Sequence, residues 1–193
     1  MAKWPPIQAN AEERLRRSLR RARWLVFIKK YQSICPGTLP SAWIWTLSRP
    51  MIRQYQSSDT ETLISIWMSA SKLAHPFLGD DFLTQEAINM RTLYLPNAET
   101  WVIEHTTVPI GFIALIGSEI GGLFLDPAYH GQGYGHRMVD HAWKLKGPLR
   151  VDIFERNTIG RRFYDRTGFK QTGQYLHEAS GEIILTMTMP STL

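Results

Sequence analysis

The chain has 193 residues, 44% of them hydrophobic, and a formal net charge of +5, which is enough material for one ordinary core. No apolar run approaches the ~20 residues a membrane-spanning helix needs, and Trp24 to Ile28 is too short for the apolar part of a secretory signal. A single cysteine, Cys35, excludes an internal disulfide framework and a CxxC metal or redox pair, so no metal is expected and a soluble protein of the reducing cytoplasm is. The positive charge is confined to one end. Residues 1–50 carry ten Lys/Arg against two Glu, whereas residues 51–193 carry twelve against fifteen Asp/Glu. The larger part of the chain therefore has no bulk charge to draw it to a polyanion, and a nucleic-acid partner is not expected of it.

Along the chain, Glu12 to Ile34 spaces Leu15, Leu19, Ala22 and Val26 by threes and fours, the pattern of a basic amphipathic helix able to lie on RNA, an acidic partner or a membrane surface. Pro36-Gly37, Pro40 and Pro50 then break the stretch. Residues 1–50 are read as a basic extension, unstructured or ahead of a natural start at Met51, and residues 51–193 as the globular domain. Met51 opens a strand-like MIRQY segment. Ser58 followed by Glu61 reads as a capping box opening a helix with Leu63, Ile64, Ile66 and Trp67. A second helix is expected over 81–94, stopped by Pro96. Strands follow near 100–105, 110–117 and 119–125, with Thr106 to Pro109 as the first turn, in an antiparallel meander. A helix at 134–146, a strand at 149–155, a helix at 158–167 ended by Gly168, and two strands joined by Ala179-Ser180-Gly181 complete a mixed α/β (α+β) domain.

The chemistry is concentrated after the third of these central strands. Leu123-Phe124-Leu125 reads as a buried strand end, Asp126-Pro127 closes it, and His130-Gly131-Gln132-Gly133-Tyr134-Gly135-His136 leads directly into a helix. Glycines between a strand and a helix let successive backbone N–H groups converge, and the helix N-terminus favours an anion there. A structural turn accounts for the same glycines. The Gly-Lys-Ser/Thr of a Walker A loop is absent, and a dinucleotide fold requires a parallel strand-loop-helix unit early in the chain.

These residues resemble the GNAT superfamily of N-acetyltransferases, whose R/Q-x-x-G-x-G/A signature follows the fourth strand. His130 to Gly135 matches it, with His where the family has Arg or Gln. A second segment, Asn157 with Arg161-Arg162-Phe163-Tyr164 and Gly168-Phe169, is similar to the family's N-x-x-A-x-x-F-Y-x-x-x-G-F, with Gly160 at the small-residue position. Within the superfamily, Ile66-Trp67, His75, Phe77-Leu78 and Leu123-Phe124-x-Asp126-Pro127 resemble the bacterial YjaB type. The resemblance covers residues 51–193. It implies a GNAT acyl-CoA N-acyltransferase fold, a mostly antiparallel sheet flanked by helices with splayed central strands, working as a monomer or homodimer.

The same resemblance implies acetyl-CoA as cosubstrate and an amine acceptor, a small molecule or a protein amine. Main-chain contacts to the CoA pyrophosphate are expected at Gly131, Gly133, Gly135 and His136, with His130, Gln132 and Tyr134 beside them. Gly121-Gly122 inside a strand marks a bulge, and the backbone from Leu123 through Phe124 and Leu125 would then hold the thioester end. Tyr164 takes the place of the family's general acid, or is a core tyrosine. A phenol of pKa about 10 and a thiol of about 8.5 lie ~2 kcal/mol apart, so full transfer is mildly uphill and a hydrogen bond to the thiolate is the alternative. Asn157 either contacts the pantetheine arm or caps the following helix. Glu119, His75 and ordered water compete as the base that frees the amine, and Arg161 and Arg162 reach CoA phosphates or decorate a helix face. Two other readings stand beside this one: an acyl-CoA-binding regulatory module without turnover, and a GNAT toxin acting on aminoacyl-tRNA.

Overall fold

The computed structural model of the protein describes residues 50–178 and 180–190. The helix expected over Glu12 to Ile34, and with it the reading of residues 1–50, lies outside the described residues. Seven strands form one sheet: β1 (Met51–Gln54), β2 (Glu99–His105), β3 (Val108–Ile116), β4 (Glu119–Leu125), β5 (Arg150–Phe154), β6 (Lys170–His177) and β7 (Glu182–Thr188). Their spatial order is β1-β2-β3-β4-β5-β7-β6. Every neighbouring pair is antiparallel except β4 and β5, which run parallel. The four principal helices are α1 (Thr60–Ala74), α2 (Asp80–Asn89), α3 (Tyr134–Lys146) and α4 (Thr158–Arg166). The mixed, mostly antiparallel sheet expected of the sequence is the one found. Among the described residues no helix is long and apolar enough to cross a membrane.

The two-residue period of the strands sorts their side chains between two cores. Val102 and Phe112 face Leu63, Ile64, Ile66 and Trp67 of α1. Their neighbours Ile103 and Ile113 point the other way, to Met138, Val139 and Ala142 of α3 and Tyr164 of α4. Each side chain buried in this way contributes roughly 1.5–3 kcal/mol. Helices thus cover both faces of the central strands, and the sheet's middle is fixed from two sides.

The entry to α1 differs from expectation. The Gln56 N–H donates to the Asp59 carboxylate at 2.9 Å, while Arg53 forks between Asp59, at 2.6 and 2.8 Å, and Glu104 of β2, at 2.7 Å. Asp59 therefore turns the chain in place of the Ser58–Glu61 box, because the guanidinium holds it there. Glu61 is exposed and pairs with Arg91. The second helix also outruns its expected stop. After α2 the backbone widens into a π-turn, Met90–Tyr94, and closes with a last helical turn, Leu95–Asn97, which contains Pro96. A widened turn ahead of a proline relieves its clash with the preceding carbonyls. The β2–β3 hairpin turns on Thr106 and Thr107 alone, both at positive φ (50° and 73°), and Val108 and Pro109 already belong to β3. Pro109 is tolerated there because the register shifts beside it, between Ile103 and Glu104 of β2.

One glycine is required by contact. A Cβ at Gly111 of β3 would lie 2.7 Å from the Phe124 carbonyl oxygen and 3.2 Å from Leu125 Cα, and backbone atoms cannot rotate aside. Gly111→Ala is expected to destabilise the protein by about 1–3 kcal/mol. Denaturant unfolding of the full chain measures this, and an unchanged midpoint would contradict the close approach of β3 and β4.

Candidate active site

The site is built on a strand that changes partners. β4 pairs with β3 along its length, but opposite Ala114–Leu115 the register skips Gly121, which is left as a bulge between Ile120 and Gly122. On its other edge β4 meets β5 only at Glu119↔Arg150 and Ile120↔Val151. Beyond the bulge the two strands part, as the resemblance implied. From there on the backbone polar groups of β4 that face β5 have no strand partner and are open to a ligand.

The parting opens a cavity of about 690 Å³, within the size range of small-molecule and cofactor sites. Its walls are Gly121 to Leu125 of β4, Val151 to Phe154 of β5, the C-terminal end of α1 and one face of α4, and the glycine loop lies at one end. Gly131 and Gly133 have φ of 75° and 82°, a region closed to most side chains. No side chain caps α3 at Gly133, so the first-turn N–H groups of Tyr134, Gly135 and His136 keep their capacity for an anion. A Cβ at Gly135 would sit 2.9 Å from the Phe163 ring, so a glycine keeps α3 close against α4. These features fit an anionic ligand head. Arg162 and Arg166, one turn apart on α4, line the same cavity and add positive charge.

The expected site residues divide into two sets. Leu123, Phe124, Leu125, His130, Gly131, Gly133, Tyr134, Gly135, His136, His75, Asn157 and Tyr164 all line the cavity. Gln132, Arg161 and Glu119 do not. Gln132 donates to the Ala128 carbonyl at 3.2 Å, Arg161 to the Glu155 carbonyl at 3.2 Å, and Glu119 faces Arg150 at 3.8 Å near the start of β4. His130 is 3.0 Å from the Leu125 carbonyl through Nε2. A carbonyl only accepts, so Nε2 carries the proton and the ring is tied to the end of β4. Tyr134 is buried, its hydroxyl 3.0 Å from Nδ1 of His105.

Two titratable groups in the cavity are displaced by burial. Tyr164 is packed between Phe163 and Phe169, and burial pushes its phenol well above the ordinary value. His75, just beyond α1, makes T-shaped contacts with Phe77 and Phe154 at ring separations of 5.8 and 5.4 Å, and burial pushes its imidazole down to about 4. Its Nε2 lies 3.0 Å from the Asn157 amide nitrogen. The Asn157 side-chain oxygen accepts from the Gly160 N–H at 2.8 Å, so Asn157 does cap α4.

Sequence reasoning missed Asp152 and Arg166. Arg166 had a signal, its i,i+4 spacing from Arg162. Asp152 belongs to no motif. Its Oδ2 accepts from Arg150 at 2.8 Å and from the Tyr175 hydroxyl at 3.1 Å, while Oδ1 is buried with no hydrogen-bond partner among the described residues.

A cleft between parallel strands that runs from an uncapped helix N-terminus to a buried phenol suits a ligand with an anionic head and a long thin arm. Fold and cleft together define an acyl-CoA-dependent transferase. A family profile for the acetyltransferase (GNAT) domain matches residues 96–171. The peptidyl-lysine N-acetyltransferase YjaB of Salmonella typhimurium is 36% identical over 124 residues, 64% of this chain and 85% of that protein. YjaB of Escherichia coli K12 is 33% identical over 124 residues, covering 64% and 84%. The solution structure of apo-YjaB from Escherichia coli superposes with a TM-score of 0.67 at 29% identity, over 72% of this chain and 97% of that one. The chain belongs to the GNAT family of acetyl-CoA-dependent N-acetyltransferases.

The half-buried imidazole gives the site a pH signature. His75 binds a proton at pH 6.5 when unfolded but only near pH 4 when folded. Above 6.5 it is neutral in both states and the stability is intact; as pH falls through this window the unfolded chain gains the proton first, and about 3 kcal/mol is lost. His75→Gln is expected to remove that part of the slope. Equal slopes for wild type and variant in pH-resolved unfolding would contradict a desolvated, neutral imidazole at this position.

Proposed function

We propose that the protein transfers the acetyl group of acetyl-CoA to the side-chain amine of a lysine in a peptide or protein, by direct attack of the amine on the thioester. The observation that carries the acceptor class is Asp152. Among the described residues Arg150 is the single cation paired with both Asp152 and Glu119, so this group keeps one net negative charge beside the cleft. The buried Asp152 oxygen without a donor is costly, about 1–3 kcal/mol or more for a charged group, and an alkylammonium supplies both the charge and the N–H groups it lacks. Both YjaB relatives are named peptidyl-lysine N-acetyltransferases, in keeping with such an acceptor. Phe154 and Ile184, on the same sheet face, suit an aliphatic stem. A cytoplasmic setting fits this reading.

In this reading residues 51–193 form the catalytic domain. The N–H groups of Gly131, Gly133, Gly135 and His136 hold the pyrophosphate with Arg162 and Arg166, and the free edge of β4 at Leu123 binds the thioester carbonyl. Asp152 seats the acceptor as ammonium, which gives one proton to solvent before it reacts. The amine nitrogen bonds to the carbonyl carbon as the C–S bond breaks. Tyr164 donates its phenolic proton to the departing sulfur and regains one from solvent, and the new amide nitrogen releases its extra proton to water. The described residues and the relatives give no support to a sensor without turnover or to an aminoacyl-tRNA acceptor.

Calorimetric titration of acetyl-CoA into the full chain is expected to show micromolar binding that Gly133→Glu abolishes; no binding to folded wild type would overturn the reading. Tyr164→Phe is expected to keep that affinity and lower kcat by about 10²-fold. Asp152→Asn is expected to lower kcat/KM by about tenfold for a lysine peptide with blocked termini. An arylamine that is uncharged at neutral pH should be acetylated equally by wild type and this variant. An equal loss with both amines would sink the ammonium seat.

A further inference from the structure

We propose that Asn157 is a positioning residue that fixes His75 as a neutral imidazole protonated at Nδ1, and that His75 serves the cleft as a hydrogen-bond donor and not as a base. The assignment follows from one amide serving two neighbours. The Gly160 N–H can only donate, so the group 2.8 Å from it must be the Asn157 oxygen. The amide nitrogen is then the group 3.0 Å from His75 Nε2, and an amide NH₂ can only donate. The flipped amide would set two donors against each other at Gly160. Nε2 therefore carries a lone pair, and the proton of the neutral ring is on Nδ1.

Gly160 belongs to the same device. A Cβ at this position would meet the Asn157 amide nitrogen at 2.7 Å and its carbonyl carbon at 3.0 Å, so the glycine leaves room for this rotamer. The surroundings of the ring hold it neutral. Phe77 and Phe154 pack against it in T-shaped contacts; Arg156 stacks on Phe77 at 4.5 Å and pairs with Glu182, and His177 lies against Phe154 one ring further out. Asp152 lines the same cavity. With Nε2 engaged and protonation disfavoured, the ring offers the cleft Nδ1–H, a donor suited to an oxygen that gains negative charge. That last step rests on the acetyl-transfer reading; the tautomer does not.

Asn157→Asp separates the roles. Aspartate keeps the cap on Gly160, being as good a cap as asparagine, but turns the donor facing His75 into an acceptor. Long-range ¹H–¹⁵N spectra of the full chain are expected to show His75 protonated at Nδ1 in wild type and at Nε2 in Asn157→Asp, with a pKa raised by about 2 in the variant. Acetyl-CoA affinity should stay within about twofold while kcat falls about tenfold. An Nε2–H tautomer in wild type overturns the proposal without any variant. An unchanged tautomer in the variant, or lost acetyl-CoA affinity with kcat preserved, also overturns it, since Asn157 would then serve the ligand directly. Failure of wild type to bind acetyl-CoA would strike the acetyltransferase reading and leave the tautomer standing.

Discussion

β4 cannot pair with β3 and β5 over its whole length, and the cleft follows from that constraint. The skipped residue at Gly121 turns the strand away from β5 after two paired positions. Without a bulge the parallel pair would continue, the β4 edge would be satisfied within the sheet, and no channel would lead inward from the glycine loop. The cost of the unpaired edge is borne by the rest of the sheet. β5 keeps its full ladder with β7, and β4 keeps its ladder with β3. Two helical layers clamp the strands on either side, so the opening stays local.

The cleft is polarised along its length. At one end are glycine N–H groups, the unfilled first turn of α3 and two arginines; on the β5 side is a group with one net negative charge. Neither depends on the +5 of the whole chain, because the basic surplus lies in residues 1–50. Local placement, not bulk charge, would then orient the proposed ligands, the anionic head toward the loop and a cationic acceptor toward Asp152. Asn157 bridges the two walls between, tying the loop after β5 to the end of α1 across 82 residues of sequence.

What the sequence made legible was whatever depends on near neighbours. The strands near 100–105, 110–117 and 119–125 were marked as an antiparallel meander, Gly121-Gly122 marked the bulge, and the glycines from His130 to Gly135 marked the turn into α3. The errors lie where a distant group decides. The capping box at Ser58 and Glu61 is locally sound, but Arg53 takes Asp59 and Arg91 takes Glu61. Pro96 reads as a stop until the π-turn ahead of it makes room. Glu119 was a candidate base as an acid on the right strand; Asp152, from the neighbouring strand, lines the cavity, and only the three-dimensional pairing around Arg150 distinguishes them. The contact between His75 and Asn157 leaves no trace in spacing.

Burial acts in opposite directions on the two titratable groups beside the proposed thioester position, and the sense is the same in both: each is kept neutral. The Tyr164 phenol is raised because the phenolate would be desolvated, and His75 is lowered because the imidazolium would be. A raised phenol is a weaker acid, which by itself disfavours protonating a thiolate. The same apolar surroundings raise the thiol as well, since a desolvated thiolate suffers the same penalty, so the ~1.5-unit gap between the free groups need not widen. What burial secures is a protonated Tyr164, as the proposed donation to a departing sulfur requires. A site that kept either group charged would spend its low dielectric on a resident ion; this one leaves it to the charges that appear during transfer.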